Sequence, residues 1–116
     1  MVLRYGGMEV EAEALVDSGS DRNIFDAEYA ELLGIDDLSE GGIETPIMGV
    51  TGEKKIGYAH DVIIQFGKYA INTNVIFLPD MPDEHKAILG QEGFFDMGSI
   101  KFRYRKRTFE ITVHDL

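Results

Sequence analysis

Hydrophobic and polar positions alternate along most of this chain in short stretches, broken by glycines. Val2 to Tyr5 reads as a short strand, and Gly6-Gly7 supplies the residues of a two-residue hairpin turn. From Met8 the period of two is regular. Met8, Val10, Ala12 and Ala14 fall on one face and Glu9, Glu11 and Glu13 on the other, which predicts a half-buried antiparallel strand. At Leu15-Val16 both faces turn apolar, so the chain is expected to enter the core just before Asp17. Asn23-Ile24-Phe25 resumes extended chain. Asp26 then offers an N-cap for a helix from Ala27 to Leu33, with Gly34 as its stop.

The region from Ile35 to Glu44 is polar, carries Gly41-Gly42 and predicts a surface loop. From Thr45 to Ala59 the pattern predicts a hairpin tipped by Gly49, Val50, Thr51 and Gly52. Few large apolar residues lie near that tip, the composition of a mobile element of the kind used for lids. Val62, Ile64 and Phe66 alternate, Gly67-Lys68 turns the chain, and Tyr69 and Ile71 lead into the continuous apolar run from Val75 to Leu78, a return strand buried on both faces. Pro79 to Glu84 forms a loop. Ala87-Ile88-Leu89-Gly90 precedes a short helix around Gln91 to Met97. A terminal hairpin follows, with Ile100, Phe102 and Tyr104 on one strand, Phe109, Ile111 and Val113 on the other, and Arg105-Lys106-Arg107 at its turn. The two halves share a plan of hairpin, apolar strand, glycine turn and short helix, which suggests an internal pseudo-twofold.

Composition narrows the classes. The 116 residues predict one domain over positions 1–116, large enough for a core without staples. No apolar run approaches the roughly 20 residues of a membrane helix, no signal peptide is visible and cysteine is absent. The expectation is a soluble, cytoplasmic protein, although the compartment itself stays open. A formal net charge of -10 argues against a nucleic-acid partner, which needs a positive field. Lys101, Arg103, Arg105, Lys106 and Arg107 are read as the solvated face of the terminal hairpin.

His60, His85 and His114 have no paired spacing, and Asp36-Asp37 lacks the further ligands of a calcium loop, so no metal and no cofactor is implied. Ser18 and Ser20 lack the nucleophile-elbow glycines and a nearby histidine. Asp17-Ser18-Gly19 is the remaining candidate. A carboxylate ending a buried strand loses hydration unless hydrogen bonds replace it, which leaves two roles, a cap or a reactive group. Two such carboxylates held within hydrogen-bond distance share one proton, and one can then act as base on a water while the other polarises a peptide carbonyl.

Ala14-Leu15-Val16-Asp17-Ser18-Gly19-Ser20, with Ala87-Ile88-Leu89-Gly90 and a glycine-tipped hairpin between them, resembles the retropepsin-like aspartic proteases, the retroviral-protease type and its cellular and prokaryotic relatives. The similarity runs in order along nearly the whole chain. It implies an all-β fold, a small closed β-barrel with a flap hairpin and one or two short helices, working as a homodimer. It implies an aspartic endopeptidase with Asp17 as the catalytic residue, Ser18 gripping the opposite turn and Gly19 offering its carbonyl to substrate backbone. Asp21 would bond substrate main chain, Ile24 and Ile88 would line side-chain pockets, and Gly49, Val50, Thr51 and Gly52 would be the flap tip. Ser20 stands where many viral members carry Ala, and Gln91 where they tend to carry Arg, which makes the brace to Asp21 neutral rather than ionic.

Only one Asp-Ser-Gly occurs, so the second carboxylate must come from another copy through a twofold axis. The partners expected are therefore a second copy and a peptide or protein substrate, cleaved between apolar residues. The terminal hairpin serves equally as interchain pairing surface or as cover for its own core. The alternative function is a catalytically inactive peptide-binding or assembly domain on the same fold. A two-carboxylate glycosidase is more distant, because only Asp17 has the buried context.

Overall fold

The spine of the molecule is one long strand, β6 (Lys54–Phe66), of 13 residues. One edge of β6 carries β7 (Tyr69–Leu78), antiparallel from Tyr58↔Phe77 to the Gly67-Lys68 turn at Phe66↔Tyr69. Its other edge is shared. β5 (Ile43–Met48) pairs with the first half, from Ile43↔Ala59 to Met48↔Lys54, and β1 (Val2–Tyr5) with the second half around Leu3↔Ile64. The sequence pattern predicts two separate hairpins over this region; they are two uses of the same strand. Gly57 lies inside it rather than at a turn. A Cβ there would stand 2.6 Å from Ile76 Cγ2 and 3.0 Å from the Phe77 carbonyl, so close passage of β7 requires the glycine.

The computed structural model describes residues 1–17, 19–48 and 52–90, together with the strand pairing of residues 98–103 and 108–113. Four further short strands complete the main sheet: β2 (Met8–Glu11), β3 (Leu15–Val16), β4 (Ile24–Asp26) and β8 (Ala87–Leu89). The order is β2-β1-β6-β7-β4-β8-β3, with β5 off that path on β6, and the sheet curls into a half-barrel. The protein is thus mostly β, with one small helix among the described residues, α1 (Ala27–Leu32). β9 (Gly98–Arg103) and β10 (Thr108–Val113) pair as the expected terminal hairpin, from Gly98↔Val113 to Arg103↔Thr108. The expected helix over 91–97 and the basic turn at 105–107 lie outside the described residues.

Local signals behave as their chemistry dictates. Gly6 and Gly7 take the left-handed φ values of 54° and 86° that turn β1 into β2. The Asp26 carboxylate caps α1 by accepting the Glu28 N–H at 2.9 Å, and Gly34 follows the last turn with φ 84°. The core is built from Leu3, Phe25, Leu33, Ile64, Val75, Phe77 and Leu89, drawn from β1, β4, β6, β7, β8 and the end of α1. Val75, Ile76, Phe77 and Leu78 are all buried, as the continuous apolar run predicts. His60 is a core histidine, with Nε2 2.8 Å from the Leu38 carbonyl and its ring 5.8 Å from that of Phe77.

Two expectations need correction. Leu15 does not enter the core: β3 has two residues, lies at one end of the sheet order, and leaves Leu15 43% exposed with Val16 half-buried. Met8 is half exposed as well, because β2 is the opposite edge and ends at Glu11 before its apolar face is fully covered. Edge position, which no local pattern encodes, overrides the apolar periodicity in both.

Candidate functional site

Asp17 follows the last residue of β3, where the sheet pairing is parallel: Leu15↔Ile88 and Val16↔Leu89. The segments that share a plan in the two halves of the sequence therefore lie side by side. Asp17 extends the pairing by one bond, its N–H donating to the Leu89 carbonyl at 2.9 Å. The chain then turns tightly. The Ser20 N–H donates to the Asp17 carbonyl at 3.1 Å, and the Gly19 N–H donates to Asp17 Oδ1 at 2.9 Å. Asp17 is half-buried and caps its own turn. A Cβ at Gly19 would stand 3.1 Å from Oδ1, so any larger residue presses on the carboxylate. Ser20 Oγ donates to the Arg22 carbonyl at 2.8 Å, which braces the loop from within.

Asn23 and Gly90 hold that loop in place: Gly90 belongs to the Ala87-Ile88-Leu89-Gly90 motif, but its bond to Asn23 is not legible in the sequence. Asn23 is fully buried. Its Oδ1 accepts the Gly90 N–H at 2.9 Å, and its Nδ2 donates to the Asn74 carbonyl at 3.2 Å and to Thr73 Oγ1 at 3.4 Å. Its own carbonyl accepts the Ile76 N–H at 2.9 Å, beginning the parallel pairing of β4 with β7. One side chain thus ties the Asp17 loop to β7 and to Gly90, directly after β8. Gly90 is needed for close approach: a Cβ there would stand 2.7 Å from the Ser20 carbonyl oxygen and closer still to that of Arg22. The available signals were an amide directly before an apolar strand and a glycine directly after one.

Beside this loop lies a cleft of about 380 Å³, bounded by Gly19, Ser20, Asp21, Arg22 and Ile24 on one side and by Thr45 to Met48 of β5 on the other. Of the residues singled out from the sequence, Gly19, Asp21 and Ile24 meet here. Asp17 adjoins the cleft through its bond to Gly19 without lining it. Ile88 sits one strand away, opposite Ile24 and Leu15 in register, and is half-buried. Gly52, exposed with φ 83°, stands between β5 and β6. Ser18, Gly49, Val50, Thr51 and Gln91 lie outside the described residues. A second hollow of about 380 Å³ is lined by Leu15, Ala87, Tyr29 and the loop from Asp83 to Lys86. A further hollow of about 600 Å³ is lined by Met1, Val2, Glu11, Ala12, Glu13 and Tyr29.

The chemistry on offer is a half-buried carboxylate with one oxygen bound to a backbone amide, directly after an edge strand, beside an open cleft whose described lining is apolar or hydroxyl-bearing apart from Asp21 and Arg22. Its class is that of a β-rich, half-barrel protein with an acidic turn at a sheet edge. Comparison of the chain with protein-family models, curated proteins and solved structures gave no significant match.

Proposed function

We propose that the protein is an aspartic endopeptidase of the retropepsin type, in which two copies of the chain each contribute Asp17 to one active site. The observation that carries this reading is the locked contact of the Asp17 turn with Gly90: Leu89 binds the Asp17 N–H, and Asn23 binds the Gly90 N–H. That contact holds a carboxylate at a sheet edge, beside a cleft that suits an extended peptide. The exposed Leu15 on the same edge supplies apolar surface for a second copy to cover. In this reading the partner completes the barrel and the β5–β6 hairpin is the flap. One Asp17 removes a proton from water, whose oxygen bonds to the scissile carbonyl carbon. The other, protonated, gives its proton to the carbonyl oxygen. The neutral gem-diol intermediate collapses as the Asp17 that took the water proton gives it to the amide nitrogen and the C–N bond breaks. The other Asp17 takes a proton from one gem-diol hydroxyl as the carbonyl re-forms, which leaves the pair sharing one proton again. Peptide bonds flanked by apolar residues suit the walls formed by Ile24, Pro46, Ile47 and Met48.

A second reading has its own observation. The Asp17–Gly19 bond is a sufficient structural reason for an aspartate here, so a non-catalytic peptide-binding or assembly domain fits the same turn. Asp17→Asn separates the two, because the amide oxygen can still accept the Gly19 N–H while the acid is gone. Peptide cleavage by the wild-type chain from about pH 3 to about pH 7 is expected to show an acidic limb that belongs to the coupled pair, and to vanish in the variant. When variant is mixed into wild type, activity should fall as the square of the wild-type fraction. Cleavage that survives in Asp17→Asn excludes the mechanism, and a linear fall excludes the shared site.

A further inference from the structure

Three of the four polar or charged side chains that line the cleft beside the Asp17 turn are already engaged within the protein. The Ser20 hydroxyl donates to the Arg22 carbonyl at 2.8 Å, and the Thr45 hydroxyl to the Ile43 carbonyl at 2.9 Å. Arg22 donates from Nη2 to Asn74 Oδ1 at 2.8 Å and has a further interaction besides. Asp21 differs: it is exposed, and its carboxylate has no hydrogen bond or ion pair among the described residues. Its backbone is nonetheless held on both sides. The Ser20 N–H donates to the Asp17 carbonyl, Ser20 Oγ reaches past Asp21 to the Arg22 carbonyl, and that carbonyl occupies the space of a side chain at Gly90. Asp21 therefore offers a negative charge from a fixed loop. Across the cleft, Pro46, Ile47 and Met48 are apolar. A long cationic side chain suits that pairing, because its methylene stem lies along apolar surface while its charged end reaches the carboxylate.

We infer that the cleft selects peptides carrying a basic side chain, Arg or Lys, at the one position that faces Asp21. This rests on the reading of the cleft as a peptide site, whether or not the peptide is cut. It adds a side-chain preference to the main-chain bond that the resemblance assigns to Asp21. Two effects act in the same direction and differ in range. The net charge of -10 attracts basic peptides wherever their charge lies. Asp21 acts only at contact, so its mark is one position where a cation is favoured beyond that general attraction. Arg is expected to exceed Lys there, because its planar fork meets both carboxylate oxygens.

The test uses fluorescence anisotropy with labelled octapeptides on full-length Asp17→Asn chain, so that no peptide is cleaved. Arg, its neutral isostere citrulline, Lys or Glu is walked through each position. The expected result at low salt is one position where Arg binds about fivefold more tightly than citrulline, the scale of one exposed ion pair. Glu should bind most weakly there, and the excess should shrink as salt is raised. Adding Asp21→Asn, which keeps the size of the side chain, should erase the excess at that position and leave the uniform attraction elsewhere. Asp21→Lys should transfer the preference to Glu. Thermal melting confirms that each variant is folded. An Arg-to-citrulline ratio that is the same at every position, or an excess that survives Asp21→Asn, overturns the inference. If that ratio is flat while the wild-type chain cleaves peptides and Asp17→Asn does not, the inference fails and the protease reading stands. If no peptide binds at all, the inference falls together with the peptide site.

Discussion

Gly90 and Asn23 show how single residues set the site. Gly90 does not have a left-handed φ, so its requirement is steric alone: the carbonyls of Ser20 and Arg22 occupy the space of a side chain. Those obstacles are backbone and cannot rotate away. Gly90→Ala is expected to destabilise the fold by about 3 kcal/mol, at the upper end of overpacking. Gly67→Ala makes the contrasting control, since φ is 54° there but nothing lies within 4 Å. Its cost is the backbone term alone, about 1 kcal/mol. Urea unfolding of both variants checks this, and equal losses would mean that the loop beside Gly90 moves aside easily. Asn23 is the polar counterpart. Its amide satisfies a buried N–H and a part-buried carbonyl that no apolar residue could serve.

At the scale of elements, α1 illustrates a short helix held by more than its own turns. It has six residues, too few to persist alone, and Asp26 links it to the rest of the chain. Asp26 Oδ1 takes the Glu28 N–H, Oδ2 takes the Met81 N–H at 2.9 Å, and Lys86 Nζ stands 3.8 Å from Oδ2. The helical cap was legible in the sequence because it spans two positions; the Met81 bond, across 55 positions, was not. Asp26→Ala should lose both backbone bonds and about 2–3 kcal/mol of stability. Asp26→Ser keeps a capping oxygen and should recover about 1 kcal/mol of that in thermal or urea unfolding. A serine variant no better than alanine would assign the whole effect to the Met81 and Lys86 side. The long β6 strand makes the same point for sheets: alternation marked its two halves, but their continuity rests on β5 and β1 sharing one edge.

For the whole molecule, the shifted groups define how stability depends on pH. Tyr29 is raised above the ordinary tyrosine value, chiefly by burial and then by the Glu28 and Asp26 carboxylates. For Lys86, partial desolvation pulls downward, but Asp26, Glu28 and Asp83 outweigh it and leave the ammonium raised. A group raised on folding contributes stability that is whole below its unfolded pKa and is lost as pH rises through the folded one. Both groups therefore predict falling stability above about pH 10. Asp37 is lowered, first by the Ser39 hydroxyl and then by the Ser39 N–H, so its contribution is present above its unfolded pKa and disappears as pH falls through the folded one. Urea midpoints should decline on the alkaline side, and Tyr29→Phe with Lys86→Gln should flatten that decline; an unchanged limb would remove both assignments. The sequence by itself determined the features that depend on residues a few positions apart: strand alternation, the Gly6-Gly7 and Gly67-Lys68 turns, the Asp26 cap and the Asp17-Ser18-Gly19 turn as the chemical candidate. Only the tertiary structure decided that β3 is an exposed edge, that β3 with β8 and β4 with β7 run parallel, and that Asn23 and Gly90 hold the Asp17 loop. The reason is distance along the chain. A local pattern states which face of a segment is apolar, but not which distant strand covers it, and the Asn23–Gly90 bond joins residues 67 positions apart.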